Sequence, residues 1–369
     1  MTVIDSYSTT GLCGTCYQEL PATIEFRNDG AAYIVKHCPT HGLEQAMVER
    51  DAEFWKTATQ RNPKNLTWQM YNNISLVEVT DRCNVKCKHC YHAPDNSVED
   101  LPAEFIINKA LSMPTPVVCL MGAEPTMRED LPYIIKEITT RPTVIPKRVD
   151  IYTNGVKLKD KNYVQELLRA GLHGISMSVH NSEYHKPVIW KNVCTALDNI
   201  IAARIGIGQI SFTVENIQHV NEAVDKMLHM KKHNMLPINF CMRSPAEIGI
   251  PFEQEREIFA SDIWQWLTQV AAERGLEFGK HPNFGSNPYH VGAIFDGMNM
   301  QVIHWASAAS VDTAYMYMGP WAAFVPNTQG TMLIQAILRD GMKKGWWQGR
   351  RLFNQPVVQL HTRSIAQPG

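Results

Sequence analysis

The 369-residue chain has no run approaching 18 consecutive apolar residues, so no membrane-spanning helix is expected. Its opening, Met1-Thr2-Val3-Ile4-Asp5-Ser6, lacks the basic-then-apolar pattern of a signal peptide, which leaves the cytoplasm as the expected compartment. It also lacks a charge excess. Lys and Arg number 35 against 36 Asp and Glu, which argues against binding nucleic acid through bulk charge, and no nucleic-acid partner is expected. Charged residues make up only 19% against 44% hydrophobic ones, a balance that excludes wholesale disorder. No internal repeat or low-complexity tract occurs. Nine cysteines are too few for a disulfide scaffold, and the number is odd.

What is present is grouped. Cys13, Cys16 and Cys38 form one set and Cys83, Cys87 and Cys90 another; Cys119, Cys194 and Cys241 are scattered and read as small buried residues. Clusters at short spacing in a cytosolic chain read as metal sites. Cys13-Gly14-Thr15-Cys16 and Cys38-Pro39-Thr40-His41 are two C-x2-ligand knuckles around a strand-like segment at 31–35. They predict tetrahedral Cys3His coordination of Zn2+ by Cys13, Cys16, Cys38 and His41, as in a zinc ribbon. His37 could replace His41, and a mononuclear iron or a second cluster is the alternative. A segment of about 65 residues is small for a core of its own, so a metal would supply much of its folding energy.

Between 67 and 245 the chain alternates strand-like and helix-like segments. Strands are expected at 75–80, 117–121, 148–152, 174–179, 209–214 and 238–242, with helices such as 161–170 and 221–233 between them. Such alternation predicts a parallel α/β sheet curved into a partial barrel. Side chains alternate with period two along a strand. Ser176, Ser178 and His180 therefore share one face against Ile175, Met177 and Val179, and Asn239, Cys241 and Arg243 oppose Ile238, Phe240 and Met242. If helices cover the apolar faces, the polar ones line an interior cavity; the alternative is that these are edge strands with a solvated face. His180 and Glu215 end strands on the polar face and are the candidate catalytic residues, for substrate binding or proton movement; a satisfied interior histidine or a helix cap is the alternative. Asn216 can cap the helix that follows. A long amphipathic helix is expected at 253–274 and a strand at 301–305. The polar, aromatic loop at 281–290 and the 301–305 strand read as ordinary packing of an extension, the alternative being that either closes the open side of the barrel over a substrate; the basic tail reads as solvated surface.

The run Asp81-Arg82-Cys83-Asn84-Val85-Lys86-Cys87-Lys88-His89-Cys90 places C-x3-C-x2-C directly after the first of those strands. Three thiolates on one loop suit a [4Fe–4S] cluster with one iron left for a non-protein ligand; a structural zinc would need His89 or His92 as its fourth ligand. With this motif the chain resembles the radical S-adenosylmethionine (SAM) superfamily. Three further segments are similar to that family's pattern: Gly122-Ala123-Glu124-Pro125 to its G-G-E-P, Tyr152-Thr153-Asn154-Gly155 to its T-N-G, and Ser176, Ser178 and Arg243 to positions at later strand ends.

The resemblance implies that Cys83, Cys87 and Cys90 hold the cluster and that SAM chelates the fourth iron. It implies that Gly122, Ala123 and Glu124, beside Pro125, bind the methionine ammonium. Tyr152 and Asn154 would lie at the cofactor. Ser176 and Ser178 would meet the ribose or carboxylate, Arg243 the carboxylate, and His89 the adenine. The fold implied is α/β, a partial (β/α)6 barrel over 67–245 with a zinc-ribbon-like domain at 1–66 and a C-terminal α+β extension at 246–369. The paired knuckles resemble those of the tetraether lipid synthase and pterin C-methylating subgroup, although those proteins are longer and here no cysteine follows Cys241.

The activity implied is reductive cleavage of SAM to a 5′-deoxyadenosyl radical. That radical would take hydrogen from a polar small molecule or lipid head group for C–C bond formation or methylation, with flavodoxin or ferredoxin as electron donor. Modification of a ribosomal peptide, a non-catalytic iron–sulfur or zinc regulator that binds SAM, and a scaffold with two zinc sites are the alternatives.

Overall fold

The computed structural model describes the chain apart from residues 14–15, 17–18, 60–73, 88–89, 91–93, 114, 236–238, 245–257, 282–289, 304–357 and 361–369. The domain boundaries expected at 66/67 and 245/246 lie outside the described residues, as do His89 and the basic tail.

Strands β1 (Val3–Leu12), β2 (Glu19–Arg27), β3 (Ala32–Cys38) and β4 (Gly42–Glu49) form an antiparallel sheet in sequence order. Helix α1 (Ala52–Thr59) closes one face. Ile24, Phe26, Ile34, Val48 and Trp55 form its small core, and Trp55 Nε1 donates to Tyr7 Oη at 2.9 Å, so the buried indole keeps a polar partner.

The second sheet is built on six parallel strands: β5 (Ile74–Thr80), β6 (Val117–Gly122), β7 (Arg148–Thr153), β8 (Leu172–Ser178), β9 (Gly206–Thr213) and β10 (Asn239–Arg243). Between them run α2 (Ala103–Leu111), α3 (Leu131–Thr140), α4 (Lys161–Arg169), α5 (Pro187–Ala202) and α6 (Ile217–Lys232). Neighbours in the sheet follow sequence order, as the βα alternation requires.

The helices bury one stripe each. Ile106, Ile134, Val164, Leu197 and Val224 meet Val77, Leu120, Ile151, Met177, Phe212 and Met242 in one continuous core. The opposite strand face carries Ser176, Ser178, Ser211, Thr213, Asn239 and Arg243. These strands are interior to the sheet, so the solvated-edge alternative does not hold for them. Helix α6 begins earlier than the hydrophobic period indicates because Asn216 caps it, accepting from His219 N at 2.9 Å.

The extension widens the sheet. Helix α7 (Ala260–Arg274) and strands β11 (Phe278–Lys280), β12 (His290–Phe295) and β13 (Met298–Ile303) follow, with β13 parallel to β10 and β11–β13 antiparallel to one another. At the far side β14 (Val358–Leu360) pairs antiparallel with β5. The β12–β13 turn is Asp296-Gly297, both at positive φ, the two-residue hairpin that Asp-Gly favours. Helix α7 starts later than expected: Phe259 is extended and its N–H donates to the Asp262 carboxylate at 2.9 Å. The ribbon docks on this helix through Phe54 against Trp264 (5.8 Å between rings), Arg50 to Asp262 (3.1 Å), and the Ser261 hydroxyl to Glu49 (2.5 Å). Among the described residues no helix is long and apolar enough to cross a membrane.

Arg128, only 2% exposed, straps the first strands of the parallel sheet. Its guanidinium donates to the Val79 and Leu101 carbonyls at 2.8 and 2.9 Å and to Asp130 at 2.8 and 2.7 Å. Arg128→Met should lower stability by roughly 3 kcal/mol, because two backbone acceptors lose a charged donor. Denaturant unfolding of the purified protein measures it.

Candidate active site

The site is assembled where β5, β6 and β7 end. Gly122 closes β6 at φ +144, and a Cβ there would sit 2.4 Å from the Thr80 carbonyl oxygen, so only glycine fits. The chain then crosses the end of β5: Ala123 N donates to Thr80 O and Glu124 N to Arg82 O, both at 3.0 Å.

Glu124 is 1% exposed. Its Oε1 accepts from Thr126 N (3.1 Å), Thr126 Oγ1 (2.6 Å) and Thr153 Oγ1 (2.6 Å), and its Oε2 accepts from Asn154 N (2.7 Å). Burial raises its carboxyl pKa, and these hydrogen bonds work in the other direction. Asn154 passes the constraint on. Its Nδ2 donates to Asn84 Oδ1 at 2.8 Å and approaches Cys83 Sγ at 3.8 Å, while its Oδ1 accepts from Val156 N. The three segments picked out in the sequence are thus hydrogen-bonded to one another.

The cysteine loop is fixed from both sides. Asn96 Oδ1 accepts from Cys83 N at 2.9 Å, and Arg82 pairs with Asp100 and donates to Met127 O at 3.3 Å. Cys90 N donates to Cys87 O at 3.2 Å. Burial pushes the Cys83 thiol up to about 11 and the Cys87 thiol up to about 12, and the neighbouring thiols and Glu124 push the same way; the Arg243 charge opposes the rise at Cys87. Thiolates crowded into a shielded spot need compensating positive charge. An iron–sulfur cluster held by all three supplies it, so the donor set fits a [4Fe–4S] cluster.

The other expected residues fall into two groups. Tyr152, Ser176, Ser178 and Arg243 lie on the strand face away from the helices, with Tyr152 36% exposed and Arg243 Nε donating to Thr213 Oγ1 at 3.4 Å. His180 and Glu215 take part in separate contacts. The His180 ring meets His185 edge-on at 4.6 Å, and its carbonyl accepts from Lys226 Nζ at 2.6 Å. Glu215 accepts from the Tyr184 hydroxyl, and its N–H donates to His219 Nδ1 at 3.2 Å. That leaves Nε2 of His219 to donate to Glu183 at 2.9 Å.

Sequence reasoning missed His185, whose Nε2 lies 3.2 Å from Cys87 Sγ. Burial lowers its pKa to about 4, with the Lys226 charge adding to the effect. It missed Tyr184 and Asp100 as well. The turn-forming Asn181-Ser182 pair was the available signal for the first two; Asp100 carried none.

In the ribbon, the ligand atoms of Cys13, Cys16, Cys38 and His41 lie within 4.8 Å of one another. The β3–β4 turn folds His41 back onto Cys38, using Gly42 at φ +84. Nδ1 of His41 is 3.4 Å from both Cys13 Sγ and Cys38 Sγ, and Cys16 Sγ is 3.9 Å from Cys38 Sγ. Burial acts to raise the Cys38 thiol, but N–H groups of Thr40 and His41, the His41 ring and Cys13 bring it down to about 6. Three sulfurs and one imidazole nitrogen converging on one point fit tetrahedral zinc.

Residues 77–233 match the Radical SAM superfamily, and residues 6–50 match the HMPTM N-terminal zinc ribbon domain. Residues 77–233 are thus similar to the radical SAM superfamily, and a segment similar to a zinc ribbon precedes them. The chain is 31% identical over 194 residues to a 7,8-dihydro-6-hydroxymethylpterin dimethyltransferase of Methanocaldococcus jannaschii, covering 45% of this chain and 38% of that protein. It is 30% identical over 138 residues to a probable GTP 3′,8-cyclase of Methanococcus maripaludis, covering 36% and 43%. It therefore spans about two fifths of the length of these curated relatives. Among solved structures, Streptococcus suis SuiB bound to precursor peptide SuiA aligns with a TM-score of 0.42 and 13% identity over 72% of this chain and 71% of that one.

Two outcomes follow. Gly122→Ala should cost about 1–3 kcal/mol through strain at the β6 end and reduce iron uptake on anaerobic reconstitution, measured as iron per chain beside the melting temperature. Metal analysis of the purified protein should find one zinc. Cys38→Ala, or a strong chelator, should remove it and expose residues 6–50 to limited proteolysis.

Proposed function

We propose that the chain is a radical SAM enzyme that forms a C–C bond on, or methylates, a polar small molecule. A reduced pterin is the first substrate to try. The observation that carries this reading is the half-buried Cys83, Cys87 and Cys90 set, tied through Glu124 and Asn154 to the ends of β6 and β7. When bound, a reduced [4Fe–4S] cluster and SAM supply a 5′-deoxyadenosyl radical that takes a hydrogen atom from a substrate C–H bond.

The protein's own part is positioning. Cys83, Cys87 and Cys90 hold the cluster. The Gly122–Pro125 edge receives the methionine ammonium. Glu124 acts there by fixing that edge, because its carboxylate oxygens already accept four hydrogen bonds within the protein. Arg243 binds the methionine carboxylate, its guanidinium being suited to a bidentate grip. Ser176 and Ser178 take the ribose, with Tyr152 beside the cofactor and His89 toward the adenine. His180 and Glu215 face the substrate end, where Glu215, already an acceptor for Tyr184, can take a proton. Holding the target carbon against the radical carbon and excluding water is worth more than any single polar contact.

The likeness to a pterin dimethyltransferase, and a ribbon of the HMPTM kind, support the substrate class. The reductant is a ferredoxin or flavodoxin, and a reducing cytoplasm suits such thiols.

The test is anaerobic. Reconstituted wild type should hold about four irons beside its zinc and release 5′-deoxyadenosine from SAM with dithionite, detected by mass spectrometry; Cys87→Ala should release none. Protein that binds zinc alone and yields no 5′-deoxyadenosine overturns the proposal.

A further inference from the structure

Cys87 is approached by a residue from the loop after β8. His185 lies 98 positions along the chain, is 3% exposed, and places Nε2 3.2 Å from Cys87 Sγ. The loop that carries it is held at every step. Asn181 Oδ1 accepts from Glu183 N (3.1 Å) and Tyr184 N (3.3 Å), and its Nδ2 reaches Thr213 O at 3.5 Å. Ser182 donates its N–H and hydroxyl to Glu222, at 2.8 and 2.9 Å. His185 N donates to Asn181 O at 2.9 Å, and Pro187 starts α5 directly afterwards. A buried side chain pinned this firmly against a half-buried thiol is preorganised for that sulfur.

We propose that His185 is a positioning residue that donates a hydrogen bond through Nε2 to the Cys87 sulfur when that sulfur is a cluster ligand, and so raises the reduction potential of the cluster. This rests on the cluster reading given above. An N–H donor draws electron density from a ligand sulfur and favours the reduced state, one of the ways a protein tunes such a centre. His180 also lies within 4.8 Å of this pair, so the three side chains could instead serve a single metal ion. A cluster held by Cys83, Cys87 and Cys90 takes the Cys87 thiolate as an iron ligand, which leaves the two imidazoles outside it.

The experiment is an anaerobic redox titration of the reconstituted full-length protein, followed by electron paramagnetic resonance (EPR) spectroscopy. Wild type, His185→Leu, His185→Gln and His180→Leu are compared, with iron and zinc counted per chain. Losing the N–H donor in His185→Leu should make the reduced-to-oxidised ratio at a fixed potential about tenfold smaller, a fall of about 59 mV for one electron, with iron content unchanged. His185→Gln, which keeps an amide donor, should recover part of the shift, and His180→Leu should leave the potential in place. His185→Phe, which fills the same buried volume, repeats the test if the leucine variant does not fold. An unmoved potential in His185→Leu or His185→Phe overturns the inference. So does equal loss of iron in the Leu and Gln variants, or a second zinc that His180→Leu and His185→Leu both remove. Wild type without a four-iron cluster overturns both this and the proposed function, whereas an intact cluster with an unmoved potential overturns this inference alone.

Discussion

The site depends on one buried carboxylate. Removing Glu124 from water is unfavourable unless its oxygens find donors, and it takes them from Thr126, Thr153 and Asn154, while its own N–H goes to Arg82 O. Those partners stand at the ends of three strands. One side chain therefore sets the spacing of the loops after β5, β6 and β7, and Asn154 carries that spacing to Cys83 and Asn84. Gly122 allows the approach because no Cβ stands between β6 and the Thr80 carbonyl. The cysteine loop is thus held by the framework beneath it.

The sheet prepares the rest. All five helices between the six parallel strands bury their apolar stripes against one face of the sheet, so the other face is free to carry Ser, Thr, Asn and Arg. A closed eight-stranded barrel would fill that interior with branched apolar side chains. Here β13 extends the sheet beyond β10, and Gln301 on it accepts from Gln209 Nε2 at 3.2 Å, prolonging the polar surface. The ribbon is attached elsewhere, through Glu49, Arg50 and Phe54 to α7. Zinc held by Cys13, Cys16, Cys38 and His41 would tie the strands of that small sheet together.

The parallel strands and their helices were legible because period-two and helical patterns are local, and the cysteine spacings because metal ligands come in short runs. The β12–β13 hairpin was legible too, in Asp296-Gly297, but was not recognised. What could not be read were contacts made across long sequence separations. Arg128 pinning Val79 and Leu101, Arg82 paired with Asp100, and His185 against Cys87 each join residues whose meeting depends on the assembled sheet. Glu124 was picked out as a ligand for methionine; nothing local says that its oxygens would be engaged by three neighbouring residues.

The central claim is that Cys83, Cys87 and Cys90 hold a cluster with one iron open to SAM. EPR spectroscopy of the dithionite-reduced, reconstituted protein, recorded with and without SAM, tests it directly. The account predicts a reduced [4Fe–4S] signal whose g values change when SAM is added. A signal that SAM leaves unaltered, or no cluster signal in protein that retains its zinc, would contradict it.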